Sequence, residues 1–226
     1  MKVRCSILCK ISILTSLFFG CGNGNSANSV LSIFPDESGN PVSFQIHGNR
    51  AVMVGTLDET SPSSVADMIA ANPQVDTIIL KAVPGTVNSA VSLNAGRLVR
   101  SNGLNTLVPS DDAIASGGTD FFLAGVDRVV EAGGLVGVHS WTTEGLDGKT
   151  IHGSDLSRDD PLHLPFKSYY REMGIPEEFY WFSINVGPTS AIYFMNDEEL
   201  QRYNVEFISS SKINQGNYQT TRIMGD

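Results

Sequence analysis

Beyond residue 41, apolar positions recur with two different periods, and the switching between them is the strongest structural signal in the chain. Val42–Ile46 and Ala51–Val54 are short β-branched runs around His47, Gly48 and Asn49, which reads as two opening strands joined by a turn. Ser61–Ala71 changes to a helical period: serines open it, Val65, Met68 and Ile69 share one face, and Pro73 stops it. Thr77–Val83 (TIILKAV) is apolar almost throughout, as suits a strand in the middle of a sheet covered on both faces. An amphipathic helix over Thr86–Ser101, a strand at Asn105–Val108 and a helix over Ser116–Gly125 opened by two glycines follow.

Arg128–His139 contains two strand-like pieces broken by Gly133 and Gly134, and it ends on a histidine. Ser140–Pro165 is polar and has no clear period, which in a compact domain points to a functional loop or partial disorder. Helices are predicted at Pro165–Met173 and Pro176–Ile184, separated by Gly174. An apolar run at Ala191–Met195, a small helix at Asn196–Tyr203 and a final strand at Val205–Ser209 complete the pattern. Short strands alternating with helices predict an α/β fold with a mostly parallel sheet flanked by helices. The 226 residues suit one well-buried domain, placed at residues 41–209, with a polar C-terminal tail at 210–226.

The first forty residues follow a different logic. A basic opening with Lys2, Arg4 and Lys10 precedes the apolar run Ile11–Gly20, which has the length of a signal-peptide core and is too short to span a membrane. Residues 1–20 are therefore expected to be a signal peptide. Leu17–Cys21 (LFFGC) resembles a bacterial lipobox, whose cysteine is acylated and becomes the mature N-terminus, although Phe18 and Phe19 depart from its usual pattern. Gly22–Ser29 (GNGNSANS) has the small, polar composition of a tether. Cys21 is thus the expected lipidation site, residues 21–40 a flexible tether, and the protein an exported one anchored to a bacterial membrane through its N-terminal lipid, facing the periplasm or the cell surface.

Charge and cysteine usage narrow the function. Taking Lys2, Arg4 and Lys10 from the 15 basic residues leaves 12 against 24 acidic ones. Nucleic acid is excluded as a partner, since no basic stretch could displace the counterions of a phosphate backbone. All three cysteines, Cys5, Cys9 and Cys21, precede the domain, so neither disulfides nor a cysteine metal site support it.

Three local features make chemical sense in their order. Ala82–Thr86 (AVPGT) turns a buried strand sharply towards a helix, leaving backbone N–H groups that can stabilise an oxyanion. Ala115–Gly118 (ASGG) puts Ser116 at a helix mouth, with glycines that let a carbonyl approach the backbone closely. His139 ends a strand, and imidazole is the usual base for a serine hydroxyl because its pKa lies near neutrality. Each feature has a plain structural reading: a helix cap, a turn and a strand-ending histidine.

Together they resemble the Clp peptidase and crotonase superfamily, most closely its bacterial periplasmic or lipoprotein Clp-like relatives. The likeness runs from about Ala51 to Ser209 and includes FLAGVDR (Phe122–Arg128), GLVGVHSW (Gly134–Trp141), REMGIPEEF (Arg171–Phe179) and FMNDEEL (Phe194–Leu200). It implies repeated ββα units, Ser116 as nucleophile, His139 as general base, and the N–H groups of Thr86 and Gly117 as oxyanion donors. It further implies a peptide or protein substrate and, as in the ring-forming Clp peptidases, a homo-oligomer; no cofactor or metal is expected.

Two departures stand out. Thr86 occupies the place of a second glycine, and a β-branched residue suits a turn with φ > 0 poorly. Ile192 falls where the family carries the aspartate that orients the histidine, leaving Asn185, Ser190 or Asp197 as nearby substitutes. The leading reading is accordingly a serine hydrolase or peptidase using a Ser-His pair. A catalytically impaired Clp-like lipoprotein acting as a binding module is the first rival. A crotonase-type enzyme acting on acyl-thioesters with carboxylates is the second, and only Asp111 and Asp112 stand near a donor turn for it. His152 and His163, near Asp155, Asp159 and Asp160, read as loop polarity rather than metal ligands; Trp141, Trp181, Tyr169, Tyr170 and Phe179 read as core and helix packing.

Overall fold

The computed structural model describes Phe34 and residues 39–208. The expected signal peptide, nearly all of the expected tether including Cys21, and the tail at 210–226 lie outside the described residues. In chain order the elements are β1 (Ser43–His47), β2 (Arg50–Val54), α1 (Ser61–Ala71), β3 (Thr77–Leu80), α2 (Ser89–Ser101), β4 (Asn105–Val108), β5 (Ala113–Ala115), α3 (Gly117–Phe122), β6 (Arg128–Val130), β7 (Leu135–Val138), β8 (Thr142–Glu144), β9 (Thr150–His152), α4 (Leu164–Glu172), α5 (Glu177–Val186), β10 (Tyr193–Phe194) and α6 (Asp197–Arg202).

Five strands form the central sheet in the order β1-β2-β3-β4-β6, antiparallel only at the β1–β2 hairpin and parallel elsewhere. Helices α1 and α2 supply the crossovers that parallel neighbours need. They pack against each other, and α2 packs in turn against α3 and α4. Ile78 and Leu80 of β3 and Met53 of β2 have no exposed surface, and Phe121, Phe122, Tyr169, Phe179 and Tyr180 fill the space beneath the later helices. This is the mixed α/β architecture that the hydrophobic pattern predicts.

The boundaries that differ are the ones that build the site. After Leu80 the chain leaves the central sheet: Ala82 adopts φ 48°, and Val83 bridges to Ile114, with Val83 N–H donating to the Ala113 carbonyl and Ala115 N–H to the Val83 carbonyl. The predicted strand to Val83 therefore ends early because its last residues serve a second sheet, β10-β7-β5. Its short member β5, three residues within PSDDAIASGG (Pro109–Gly118), carries too little period to be read from sequence. Helix α2 begins at Ser89 and not at Thr86, because the Asn88 side chain caps it by accepting from Val91 N–H. Thr86 instead bridges Leu57 in strand fashion. Helix α3 ends at Phe122, three residues short of the predicted limit.

The polar stretch 140–165 is ordered by specific bonds. It contains the β8–β9 hairpin and two 3₁₀ turns at Gly153–Asp155 and Pro161–His163. His163, fully buried, fixes it to α5. Its Nε2 lies 3.0 Å from the Ser157 carbonyl, which can only accept, so Nδ1 accepts from the Tyr180 hydroxyl. Trp141 Nε1–H then donates to the Tyr180 oxygen at 3.0 Å. The expected strand at Val205–Ser209 reduces to a single antiparallel bridge between Phe207 and Arg128, with Ser209 outside the described residues. Among the described residues no helix is long and apolar enough to cross a membrane.

Candidate active site

Ser116 sits where β5 passes into α3, and its backbone is unusual. It adopts φ 53° and ψ −125°, the conformation of the first central residue of a type II′ turn, which glycine normally occupies. Holding a serine there costs on the order of 1–3 kcal/mol. The surroundings enforce it: Ser116 N–H donates to the Gly137 carbonyl at 3.0 Å, and Thr119 Oγ1 donates to that same carbonyl at 2.7 Å. One carbonyl of β7 thus clamps both ends of the α3 entry. The Ser116 hydroxyl itself makes no hydrogen bond among the described residues.

The two glycines after Ser116 are required by contact. A Cβ on Gly117 would lie 2.4 Å from Thr86 Cγ2, and one on Gly118 would lie 2.3 Å from the Val83 carbonyl oxygen. The first turn of α3 therefore lies directly on segment 83–86, and the Gly117 Cβ position is 3.0 Å from the Thr86 nitrogen. In the Leu57 bridge, Leu57 N–H donates to the Gly85 carbonyl and Val87 N–H to the Leu57 carbonyl, so these groups face one way. Thr86 N–H, by the alternation of an extended chain, faces the other. Neither Thr86 N–H nor Gly117 N–H has a hydrogen-bond partner among the described residues.

This corrects the origin assigned to the first donor: Thr86 N–H is freed by a β-bridge, not by a helix start. It also removes the objection to a β-branched residue at this turn. The positive φ of the turn falls on Gly85, at 155°, and Thr86 has none. A Cβ on Gly85 would lie 3.2 Å from Ser116 Cβ, so the turn touches the serine itself. The Thr86 hydroxyl is held at 3.1 Å by the Leu57 carbonyl and at 3.0 Å by the Asn88 carbonyl, away from the donor.

His139 follows β7 and lines the same small cavity of about 40 Å³ as Ser116 and Gly117. No hydrogen bond joins its ring to Ser116. Its Nδ1 lies 2.7 Å from the Ser140 carbonyl, which fixes the proton on Nδ1 and leaves the Nε2 lone pair available. Burial pushes the His139 pKa below its ordinary value, with the Ser140 carbonyl opposing that shift.

The substitutes considered for an orienting carboxylate do not reach this cavity. Asn185 donates its amide to the Trp181 carbonyl at 2.6 Å, Ser190 is exposed, and Asp197 sits in the exposed first turn of α6. None of the three lines the cavity. Ile192 packs against Gly137, its Cγ2 2.4 Å from where a Cβ would stand. The group that meets His139 Nδ1 is the Ser140 carbonyl.

Sequence reasoning missed Asp120. It stands one helical turn after Ser116, lines the same cavity and is 9% exposed. Tyr170 donates its hydroxyl to Asp120 Oδ1 at 2.6 Å, and Tyr169 donates to the Asp120 carbonyl at 2.7 Å. Burial raises its pKa to about 6, partly offset by the Tyr170 hydrogen bond. The expectation that only Asp111 and Asp112 stand near the donor turns is therefore corrected; Asp112 instead pairs with Lys81 at 3.4 Å. The available signal was that Asp120 is the one charge between Ala113 and Val126, four residues from the serine.

Trp141, Phe166, Tyr170 and Tyr180 complete the cavity wall. Trp141 stacks on Phe166 at 5.5 Å between centroids and Phe166 on Tyr180 at 6.0 Å, the three rings within about 16° of parallel from one to the next. Tyr169 and Phe179 are core residues, as expected, and Trp181 packs at the surface under Arg158. Trp141 and Tyr170 are packed and cavity-lining at once. Both nitrogens of His163 are engaged, and among the described residues no group of three or more acidic, histidine or cysteine side chains is arranged for a metal.

No family model matches the chain, and no curated protein matches it. Solved structures resemble its fold. A variant of a membrane-bound stomatin-specific protease, in complex with a substrate peptide, is 17% identical over 70% of this chain and 74% of its own, with a TM-score of 0.47. Human enoyl coenzyme A hydratase domain-containing protein 3 is 8% identical over 79% of this chain and 74% of its own, also with a TM-score of 0.47. A probable enoyl-CoA hydratase from Mycobacterium tuberculosis is 8% identical over 80% of each chain, with a TM-score of 0.45.

Proposed function

We propose that this chain is an exported, lipid-anchored serine hydrolase that cleaves peptide bonds with Ser116 and His139. The observation that carries the reading is the strained Ser116 elbow, held in one cavity with the His139 imidazole and beside the Thr86 and Gly117 amides; His139 Nε2 and both amides have no partner among the described residues. In the forward reaction Ser116 Oγ attacks the scissile carbonyl while His139 Nε2 takes the hydroxyl proton. Thr86 and Gly117 N–H groups receive the oxyanion. His139 returns the proton to the leaving amine, and water then hydrolyses the acyl-serine by the same route.

The missing carboxylate has a consequence for rate. The Ser140 carbonyl sets the tautomer but carries only a partial charge, so the imidazolium formed during turnover is stabilised less than in a full triad. Slow acyl transfer is the expected phenotype. A fluorophosphonate probe is expected to label the wild-type protein at Ser116 and to spare Ser116→Ala. Equal labelling of both proteins would end the hydrolase reading. Export and the Cys21 anchor belong to the same proposal: mass spectrometry of the mature N-terminus should find a diacylglyceryl cysteine, and an unmodified Cys21 would remove the anchor.

The small cavity and the absence of a Ser116–His139 hydrogen bond favour a second reading, in which the fold is kept as a binding module. Catalytic hydrogen bonds are often long before substrate arrives. Probe labelling with normal saturation kinetics separates the two.

A further inference from the structure

The cavity beside Ser116 contains one carboxylate and no cation. Its lining includes Asp120, aromatic side chains and small polar groups, but neither lysine nor arginine. Among the described residues no lysine, arginine or histidine forms an ion pair with Asp120; its Oδ1 is satisfied by the Tyr170 hydroxyl, and Oδ2 accepts no hydrogen bond. The carboxyl is also not sealed off, since Oδ2 is absent from the fully buried polar atoms that lack partners and the residue keeps 9% of its surface.

A buried carboxylate without a counter-charge is unfavourable, and proteins ordinarily pair such a group or replace it. Asp120 is not serving His139, whose Nδ1 is already committed to the Ser140 carbonyl. The bond from the Tyr170 hydroxyl ties α3 to α4 through Oδ1, and Tyr169 adds a second tie through the Asp120 backbone carbonyl; neither uses Oδ2. What remains is a negative group in the lining of an aromatic-walled cavity, one helical turn from the reacting hydroxyl. The rings of the wall are stacked on one another, so the carboxylate, desolvated and without a counter-charge, is the feature that selects a cation.

We propose that Asp120, with the Trp141, Phe166 and Tyr180 wall, forms a specificity subsite for a positively charged substrate side chain, of lysine or arginine type, adjacent to the bond that Ser116 attacks. The position next to the scissile bond rests on the hydrolase reading; the cation site itself does not. Burial raises the Asp120 pKa to about 6, so the carboxyl is largely ionised above neutrality and an entering ammonium group replaces the hydration it lacks. The Tyr170 hydroxyl keeps the carboxylate in one rotamer, with Oδ2 left for the ligand.

The test is equilibrium binding of butylammonium against its neutral counterpart butanol, by calorimetry at pH 8, to the wild-type chain, Ser116→Ala and Asp120→Asn. Asparagine keeps an oxygen for the Tyr170 hydroxyl while removing the charge. Butylammonium is expected to bind wild type and Ser116→Ala alike, at least about tenfold more tightly than butanol, as one charge-assisted hydrogen bond requires. Asp120→Asn should abolish that preference. Equal affinity for the two ligands in the wild type, or no binding of butylammonium, would overturn the subsite whatever the variant does. Because the readout needs no turnover, a protein that binds butylammonium but never reacts with a fluorophosphonate keeps the subsite and loses the hydrolase.

Discussion

Replacing Ser116 with glycine should make the protein more stable, and replacing it with alanine should not. Both substitutions delete a hydroxyl that has no hydrogen bond among the described residues, so no polar partner is orphaned by either. Only glycine relaxes the backbone at φ 53°, ψ −125°. The strain relieved is about 1–3 kcal/mol, from which about 0.5–1 kcal/mol is lost because glycine leaves the unfolded chain freer. The net expectation is that Ser116→Gly exceeds Ser116→Ala by about 1 kcal/mol, and by up to about 2.5 kcal/mol where the strain is at the top of its range. For a domain of this size about 1 kcal/mol corresponds to a rise in Tm of roughly 2–4 °C. Urea titrations of both variants and the wild type, fitted with a common slope, measure it directly. A Ser116→Gly protein no more stable than Ser116→Ala would show that the elbow is unstrained and would remove the main structural argument for a nucleophile.

The remaining predictions follow from neighbouring groups. His139 must be neutral to act as a base and burial lowers its pKa, so the acid limb of the kcat/KM profile should fall below pH 6.5; a midpoint above 6.5 would contradict the desolvated imidazole. Gly117→Ala forces a methyl against Thr86 Cγ2 and should cost about 1–3 kcal/mol by urea melting, with part regained in the Gly117→Ala/Thr86→Gly double variant; additive losses would mean the two residues do not touch. Asp120 has a folded pKa raised from 3.8 to about 6, so its contribution to stability is full below pH 3.8 and is lost as pH rises through 6. Asp120→Asn should therefore gain on the wild type between pH 4 and pH 8, by up to about 3 kcal/mol, and a gap independent of pH would refute the buried carboxylate. Arg128→Met removes a buried guanidinium that donates to the carbonyls of Leu123, Gly125, Asn204 and Val205, and should destabilise by about 3 kcal/mol or more, read from the same melts.

Elements with a full period were legible in the sequence: α1 and β4 have the limits that the pattern predicts, because a stopped helix and a bounded apolar run each carry their own signal. What escaped was decided by tertiary partners. Ala113–Ala115 is a strand because Leu135–Gly137 lies alongside it, and three residues cannot announce that. The hairpin at 142–152 and the turns after it depend on His163 and Tyr180, which are distant from it in sequence. Ser116, Gly117 and His139 could be named as candidates because glycine spacing and strand endings are local, and the structure brings the three to one cavity. Thr86 was legible as a position but not as a geometry, since its free N–H follows from a bridge to Leu57, 29 residues earlier. Asp120 was hidden by ordinary helical context.

Two unfavourable local choices fall within one turn of each other at the start of the same short helix. Ser116 holds a backbone conformation suited to glycine, and Asp120 holds a carboxyl in a place that raises its pKa by about two units, roughly 3 kcal/mol. Either could be relieved by a single substitution, to glycine or to asparagine, without disturbing the core around it. Strain and unpaired charge placed together at a cavity, where two sheets meet and a free imidazole points inward, are the pattern of a site whose geometry serves a ligand at the expense of stability. The stability of the Ser116→Gly/Asp120→Asn double variant at pH 8 therefore bears on function: it should exceed the wild type by more than either single change, in a protein that has lost both probe labelling and cation binding.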